Sequence, residues 1–134
     1  MTDLTLASAA RSVQARRRIR DHVYETPLLP ARRDGLWFKA ENFQLTGSFK
    51  VRGAAAVMTA SASDQPLITA SSGNHGIGAA RAAQSLGRKL TVVLPETVVP
   101  EKLAKIRAYG VEVVLHGAET GLAEQHAQAL SRQT

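Results

Sequence analysis

"PLITASSGNHGIGAARAAQSLGRKLTVVLP", residues 66–95, changes rhythm twice within thirty residues. "PLITA" (66–70) reads as a short apolar strand. "NHGIGAARAAQSLG" (74–87) is a small-residue helix closing on Gly87, a C-cap signal. "LTVVLP" (90–95) is a second strand, rich in valine and with little polar alternation, as expected of a strand covered on both faces. Strand, helix and strand in this order argue for parallel strands joined by a right-handed helical crossover.

The same alternation continues on both sides. "PEKLAKIRAYG" (100–110) is a helix with proline at its start and glycine at its end. "VEVVLHG" (111–117) is a strand, and residues 118–132 are expected to be helical. Upstream, "LWFKAE" (36–41) reads as a buried strand. "GSFKVRGAAAVMTA" (47–60) reads as a helix entered through Gly47-Ser48, with Ser48 as its N-cap. Residues 4–23 suit a helix with Leu6, Ala9, Ala10, Val13 and Ile19 on one stripe, ended by Thr26-Pro27 and Pro30. "SASDQ" (61–65) is the best linker. The fold class is α/β, a parallel sheet with helical crossovers.

Composition bounds the chemistry. With 134 residues the chain supports one modest core. It has no cysteine, which excludes disulfides, thiol nucleophiles and thiolate metal sites. No apolar run reaches the ~18–20 residues a membrane span needs. The N-terminus is basic and alanine-rich without an apolar signal core, so a cytoplasmic location is expected. The net charge of +6 raises nucleic acid as a partner, with Arg11, Arg16, Arg17, Arg18, Arg20, Arg32 and Arg33 as the basic arm. Aromatic residues are only 4% of the chain, which leaves few platforms for base stacking and makes nucleic acid an unfavoured partner. Arginine stems covering apolar surface explain the same residues as a solvated helix face.

Two stretches carry chemistry. "FQLTGSFKVRGA" (43–54) places Lys50 at the start of a helix, just after a Gly-Ser pair. An amine there, partly desolvated, is a usable nucleophile and base. "TASSGNHGIGAA" (69–80) follows a strand and opens a helix, the place where ligands collect in such sheets. Helix N-termini favour anions, so a substrate carboxylate suits this loop. Its glycines, at 73, 76 and 78, do not spell the dinucleotide fingerprint. They are also explained by a tight turn and close packing alone.

Taken in order, "HVYETPLL", "FKAENFQLTGSFKVRGA", "TASSGNHG" and "VVLPETVVPEKLAKIRAYGVEVVLHG" resemble segments of the fold-type-II pyridoxal-phosphate enzymes. The nearest likeness is to the threonine/serine dehydratase branch, which includes serine racemases. It runs from about residue 12 to the end. The resemblance implies pyridoxal 5'-phosphate as cofactor, attached through Lys50. Phe49 would sit near the pyridine ring, and Asn74 would hydrogen-bond the cofactor's 3-hydroxyl. Ser71, Ser72, Asn74 and His75 would hold the amino acid's carboxylate. Lys50 would be the proton-transfer group, and His75 would serve loop structure although histidine is tempting as a base. Ser72 would be able to exchange a proton on the face opposite the lysine, which racemisation requires. His22, His116 and His126 match no metal spacing.

The resemblance also implies a two-domain architecture. Residues 1–65 would be the N-terminal part of the large cofactor domain, and 66–134 a small α/β domain, possibly incomplete. The phosphate-binding glycine loop would lie beyond Thr134, making the chain an N-terminal portion that is inactive alone. The implied activity is dehydration of a hydroxy amino acid to a 2-oxo acid and ammonia, by an enzyme that is a homo-oligomer when complete. Alternatives are a racemase of the same family, a noncatalytic α/β remnant, or a basic binding module.

Overall fold

The computed structural model describes residues 3–60 and 63–133. Five helices and five short strands follow one another: α1 (Asp3–Ile19), β1 (Leu28–Pro30), β2 (Trp37–Lys39), α2 (Lys50–Met58), β3 (Leu67–Ala70), α3 (Asn74–Leu86), β4 (Leu90–Leu94), α4 (Pro100–Arg107), β5 (Glu112–Leu115) and α5 (Thr120–Ser131). A single 3-10 turn, Glu41–Phe43, lies between β2 and α2. Of the linker "SASDQ", Ser61 and Ala62 lie outside the described residues.

β3, β4 and β5 form a parallel sheet in that order, with Leu67 opposite Leu90 and Thr91 opposite Glu112. The central strand β4 shows why a valine-rich run was required. Successive side chains point to opposite faces. Leu90, Val92 and Leu94 join a core cluster with Ile77, Ala79, Ala80, Ala82 and Ala83 of α3 and Ile106 of α4. Val93 joins a second cluster with Ala123 and Ala127 of α5. The sheet is thus covered on both faces, which is the α/β fold expected from the alternation. The first cluster continues into α2 through Val51, Ala54, Ala55 and Met58, and into α1 through Ile19.

Local signals behave as their chemistry dictates. Gly87 ends α3 at φ 63°, and Arg88 N–H donates to the Ala83 carbonyl at 2.9 Å, closing a Schellman cap. Pro100 opens α4, where its missing N–H costs nothing.

Three expectations are corrected. "LWFKAE" is not a buried strand of the main sheet. Only Trp37–Lys39 is extended, it pairs antiparallel with β1 in a separate two-stranded sheet, and Trp37 and Phe38 are both 57% exposed. A three-residue strand with one neighbour has no second layer to bury it. Ser48 is not the cap of α2. Phe49 holds that position without a side-chain cap bond, and Ser48 Oγ accepts from Lys50 N–H at a long 3.4 Å. The proposed α1 stripe is mostly exposed, including Leu6 and Val13, and of its members only Ile19 is buried. No helix among the described residues is long and apolar enough to cross a membrane.

Candidate functional site

The first element of the site is the start of α2, and the chain leading into it is anchored by buried polar groups. Gln44 is buried and its side-chain amide clamps one peptide strand: Tyr24 N–H donates to Oε1 at 2.8 Å, and Nε2 donates to the Tyr24 carbonyl at 2.9 Å. Leu45 N–H also donates to Oε1 at 3.1 Å. Gly47, at φ 74°, then turns the chain in a region that side chains other than glycine seldom enter. Its N–H donates to the Gln44 carbonyl at 2.8 Å.

Within α2, Arg52 forms a fork on Glu41: Nε donates to Oε2 and Nη2 to Oε1, both at 2.8 Å. Nη2 also donates to the Tyr24 carbonyl at 2.9 Å and to Thr26 Oγ1 at 3.2 Å. Thr26 Oγ1 donates to Glu41 Oε1 at 2.5 Å, and Lys39 Nζ donates to the Thr26 carbonyl. The Arg52 hydrogen bond, helped by Thr26 and by the charges of Arg52 and Lys39, holds the Glu41 carboxyl below its ordinary value despite opposing desolvation. Sequence reading missed this network, because its members are spread over residues 24–52 and no local spacing joins them.

Lys50 therefore begins α2 on a braced helix. Its ammonium lies 5.0 Å from the centroid of the Phe49 ring, within cation–π range. Lys50 and Phe49 are both exposed. The expected partial desolvation of Lys50 is thus not seen in this chain; the amine is open to solvent.

The second element is the loop between β3 and α3. Ser71 and Ser72 leave the carboxyl end of β3, and Gly73 occupies the N-cap of α3 with no side-chain cap bond. Ser71 Oγ accepts from Gly73 N–H at 3.3 Å, and the first intrahelical bond runs from Ile77 N–H to the Gly73 carbonyl at 3.2 Å. The amides of Asn74, His75 and Gly76 are the opening donors of the helix, where such groups lack intrahelical partners. Ser71 and Ser72 are half-buried, while Asn74 and His75 are exposed.

Two glycines join these elements. A Cβ on Gly76 would lie 1.9 Å from the Ser71 carbonyl oxygen, so the loop is folded directly onto the first turn of α3. A Cβ on Gly78 would lie 2.8 Å from Val51 N and 2.9 Å from the Lys50 carbonyl carbon, so α3 bears on the backbone of α2 beside the lysine. Gly78 is four residues beyond Asn74, about 6 Å along a helix. The structure thus brings the start of α2, with Phe49 and Lys50, beside the helix opened by Ser71, Ser72, Asn74 and His75. The remaining histidines play other parts. His22 Nδ1 is 2.7 Å from Ser85 Oγ, and His116 stacks on His126 with ring centroids 4.0 Å apart. No cluster among the described residues could hold a metal ion.

The donor set fits pyridoxal phosphate on the side this chain supplies. An accessible primary amine suits the aldehyde, Phe49 offers a ring face, and the Ser71–His75 loop with its uncapped amides suits acidic oxygens.

Comparison with known proteins agrees. Residues 19–134 match the family model described as pyridoxal-phosphate dependent enzyme. The chain is 47% identical over 85 residues to an L-threonine ammonia-lyase of Geobacter sulfurreducens, covering 61% of this chain and 21% of that protein. The processed form of threonine deaminase isoform 2 from Solanum lycopersicum superposes with a TM-score of 0.86 at 34% identity, over 99% of this chain and 41% of that one. Maize serine racemase superposes with a TM-score of 0.81 at 28% identity, over 93% of this chain and 41% of that one. The chain therefore spans well under half the length of these relatives.

Proposed function

This chain belongs to the family of pyridoxal-phosphate dependent enzymes, and from that premise we propose that it supplies the lysine-bearing wall of a lyase acting on hydroxy amino acids. The observation that carries the reading is the packing of Lys50, at the start of α2, against Gly78 of the helix that the Ser71–His75 loop opens. When bound, pyridoxal phosphate supplies an electron sink for the pair released at an amino acid's α-carbon.

The chain's own residues supply the rest. Lys50 Nζ is the attachment point for the cofactor and takes the α-proton. Phe49 would sit near the cofactor's ring, and Asn74 would orient the cofactor by hydrogen bonding. Ser71, Ser72, His75 and the opening amides of α3 hold the substrate carboxylate. Loss of the β-hydroxyl as water, followed by hydrolysis at the nitrogen, gives a 2-oxo acid and ammonia, so atoms balance over the whole reaction. The names of the relatives favour L-threonine or L-serine as substrate. The proposal keeps residues 1–65 as part of the cofactor domain and 66–134 as the small α/β domain, a division supported by the change from an antiparallel pair to a parallel sheet. A homo-oligomeric, cytoplasmic enzyme completes the proposal.

Ser72 favours a second reading, racemisation. It lies in the loop between β3 and α3, partly buried, and a serine racemase is among the structural neighbours.

The test supplies the chain with the polypeptide that its relatives carry outside the matched segment, fused or as a separate chain. With pyridoxal phosphate, this assembly should release ammonia and 2-oxobutanoate from L-threonine, or pyruvate from L-serine, and Lys50→Ala should abolish both. Cofactor held on Lys50 without any 2-oxo acid would overturn the lyase reading, and D-serine formed from L-serine would favour the racemase.

A further inference from the structure

We propose that Gly78 is a positioning residue, whose missing side chain sets the placement of Lys50 against the Ser71–His75 loop. The proposal rests on the reading that Lys50 carries the cofactor. α2 and α3 share one buried side-chain cluster, and at Gly78 their backbones also come into direct contact. A Cβ at position 78 would fall 2.8 Å from Val51 N, 2.9 Å from the Lys50 carbonyl carbon and 3.2 Å from Lys50 Cβ. The first two are backbone atoms that cannot rotate away. Relief requires the helix axes to part or slide, which moves Lys50 relative to the loop.

The loop cannot follow independently. It is fixed to the first turn of α3 by the close approach of Gly76 to the Ser71 carbonyl. A displacement of α3 at Gly78 is therefore delivered to Ser71, Ser72 and Asn74 as a unit. Val51 and Ala80, on either side of the contact, are fully buried, and close-packed interiors leave little room to absorb such a movement.

Gly53 provides the control. It lies in the same helix as Lys50, one turn on, and a Cβ there meets nothing within 4 Å. Gly53→Ala gains helix propensity without touching α3.

The experiment labels the full chain with pyridoxal phosphate and borohydride, then maps label by peptide mass spectrometry. The four other lysines, Lys39, Lys89, Lys102 and Lys105, serve as internal standards. Circular dichroism and urea titration establish that each variant is compared at equal folded fraction. Gly78→Val should lower the Lys50 share of label at least severalfold, since a misplacement of about 1 Å costs a positioned reaction up to about 100-fold. Gly78→Ala should give a smaller fall in the same direction, and Gly53→Ala none. Where Gly78→Val does not fold, Gly78→Ala carries the comparison. An unchanged Lys50 share in the folded Gly78 variants, or an equal fall in Gly53→Ala, overturns the proposal. Wild-type chain with no preference for Lys50 would instead count against the cofactor reading. Positioning is then judged by backbone amide NMR: Gly78→Ala must shift Lys50–Arg52 and Ser71–Asn74 together, and shifts confined to α3 overturn it.

Discussion

Arg52 grips Glu41 with two parallel hydrogen bonds of 2.8 Å, and the same guanidinium holds the Tyr24 carbonyl. One side chain on the first turn of α2 thereby fixes the chain entering the fold and the turn preceding the lysine. Arg52→Met should cost about 1–3 kcal/mol, because Glu41 keeps its charge and loses its partner. Arg52→Lys should recover less than half of that loss, since an ammonium cannot reproduce the fork. Urea denaturation of the three proteins measures both values.

Glu41 also gives stability a sign against pH. Its carboxyl is held below the ordinary value in the folded chain, chiefly by Arg52, so folding favours the charged form. That contribution is complete above the unfolded value of about 4.3 and fades as pH falls through the lower folded value. Glu41→Gln should therefore be less stable than wild type near neutrality and should close the gap as pH falls below that value. A gap that stays constant across acid titration contradicts the assignment.

Gln44→Ala should cost about 1–3 kcal/mol, since it removes the acceptor of the Tyr24 N–H and leaves the Tyr24 carbonyl to Arg52 alone. Gln44→Glu should not restore stability fully, because a carboxylate cannot donate to the Tyr24 carbonyl. Thermal unfolding of the two variants distinguishes lost hydrogen bonds from lost packing.

Asn74→Ala should leave borohydride trapping at Lys50 intact while altering the visible spectrum of the bound cofactor. The expectation follows from its place at the opening of α3, which the proposed function reads as orienting the ligand while Lys50 is the reacting amine. Loss of trapping would assign Asn74 a different part.

The parallel core was legible because its signals are local. Gly87 caps its own helix, Pro100 opens its own, and the valines of β4 report two covered faces within five residues. Lys50 and the Ser71–His75 loop stood out for the same reason, each being an unusual sequence at a helix start. What joins them was not legible. Gly78 looks like any small residue in a small-residue helix until α2 packs on it, and the Arg52–Glu41–Thr26 network joins a helix, a 3-10 turn and a loop. The β1–β2 pair escaped notice because three-residue strands show no period, and "LWFKAE" reads as buried only through its Leu36-Trp37-Phe38 run. Ser48 missed the cap by one position, a common uncertainty at helix ends.

The most direct test of the account is which lysine captures the cofactor. The chain, incubated with limiting pyridoxal phosphate, reduced with borohydride and mapped by mass spectrometry, should carry its label chiefly on Lys50. Lys39, Lys89, Lys102 and Lys105 should share the remainder, and Lys50→Ala should reduce total label to the level of those four. Label spread evenly over all five lysines, unchanged in total by more than Lys50's equal share when it is removed, would contradict the claim that this site is built around Lys50.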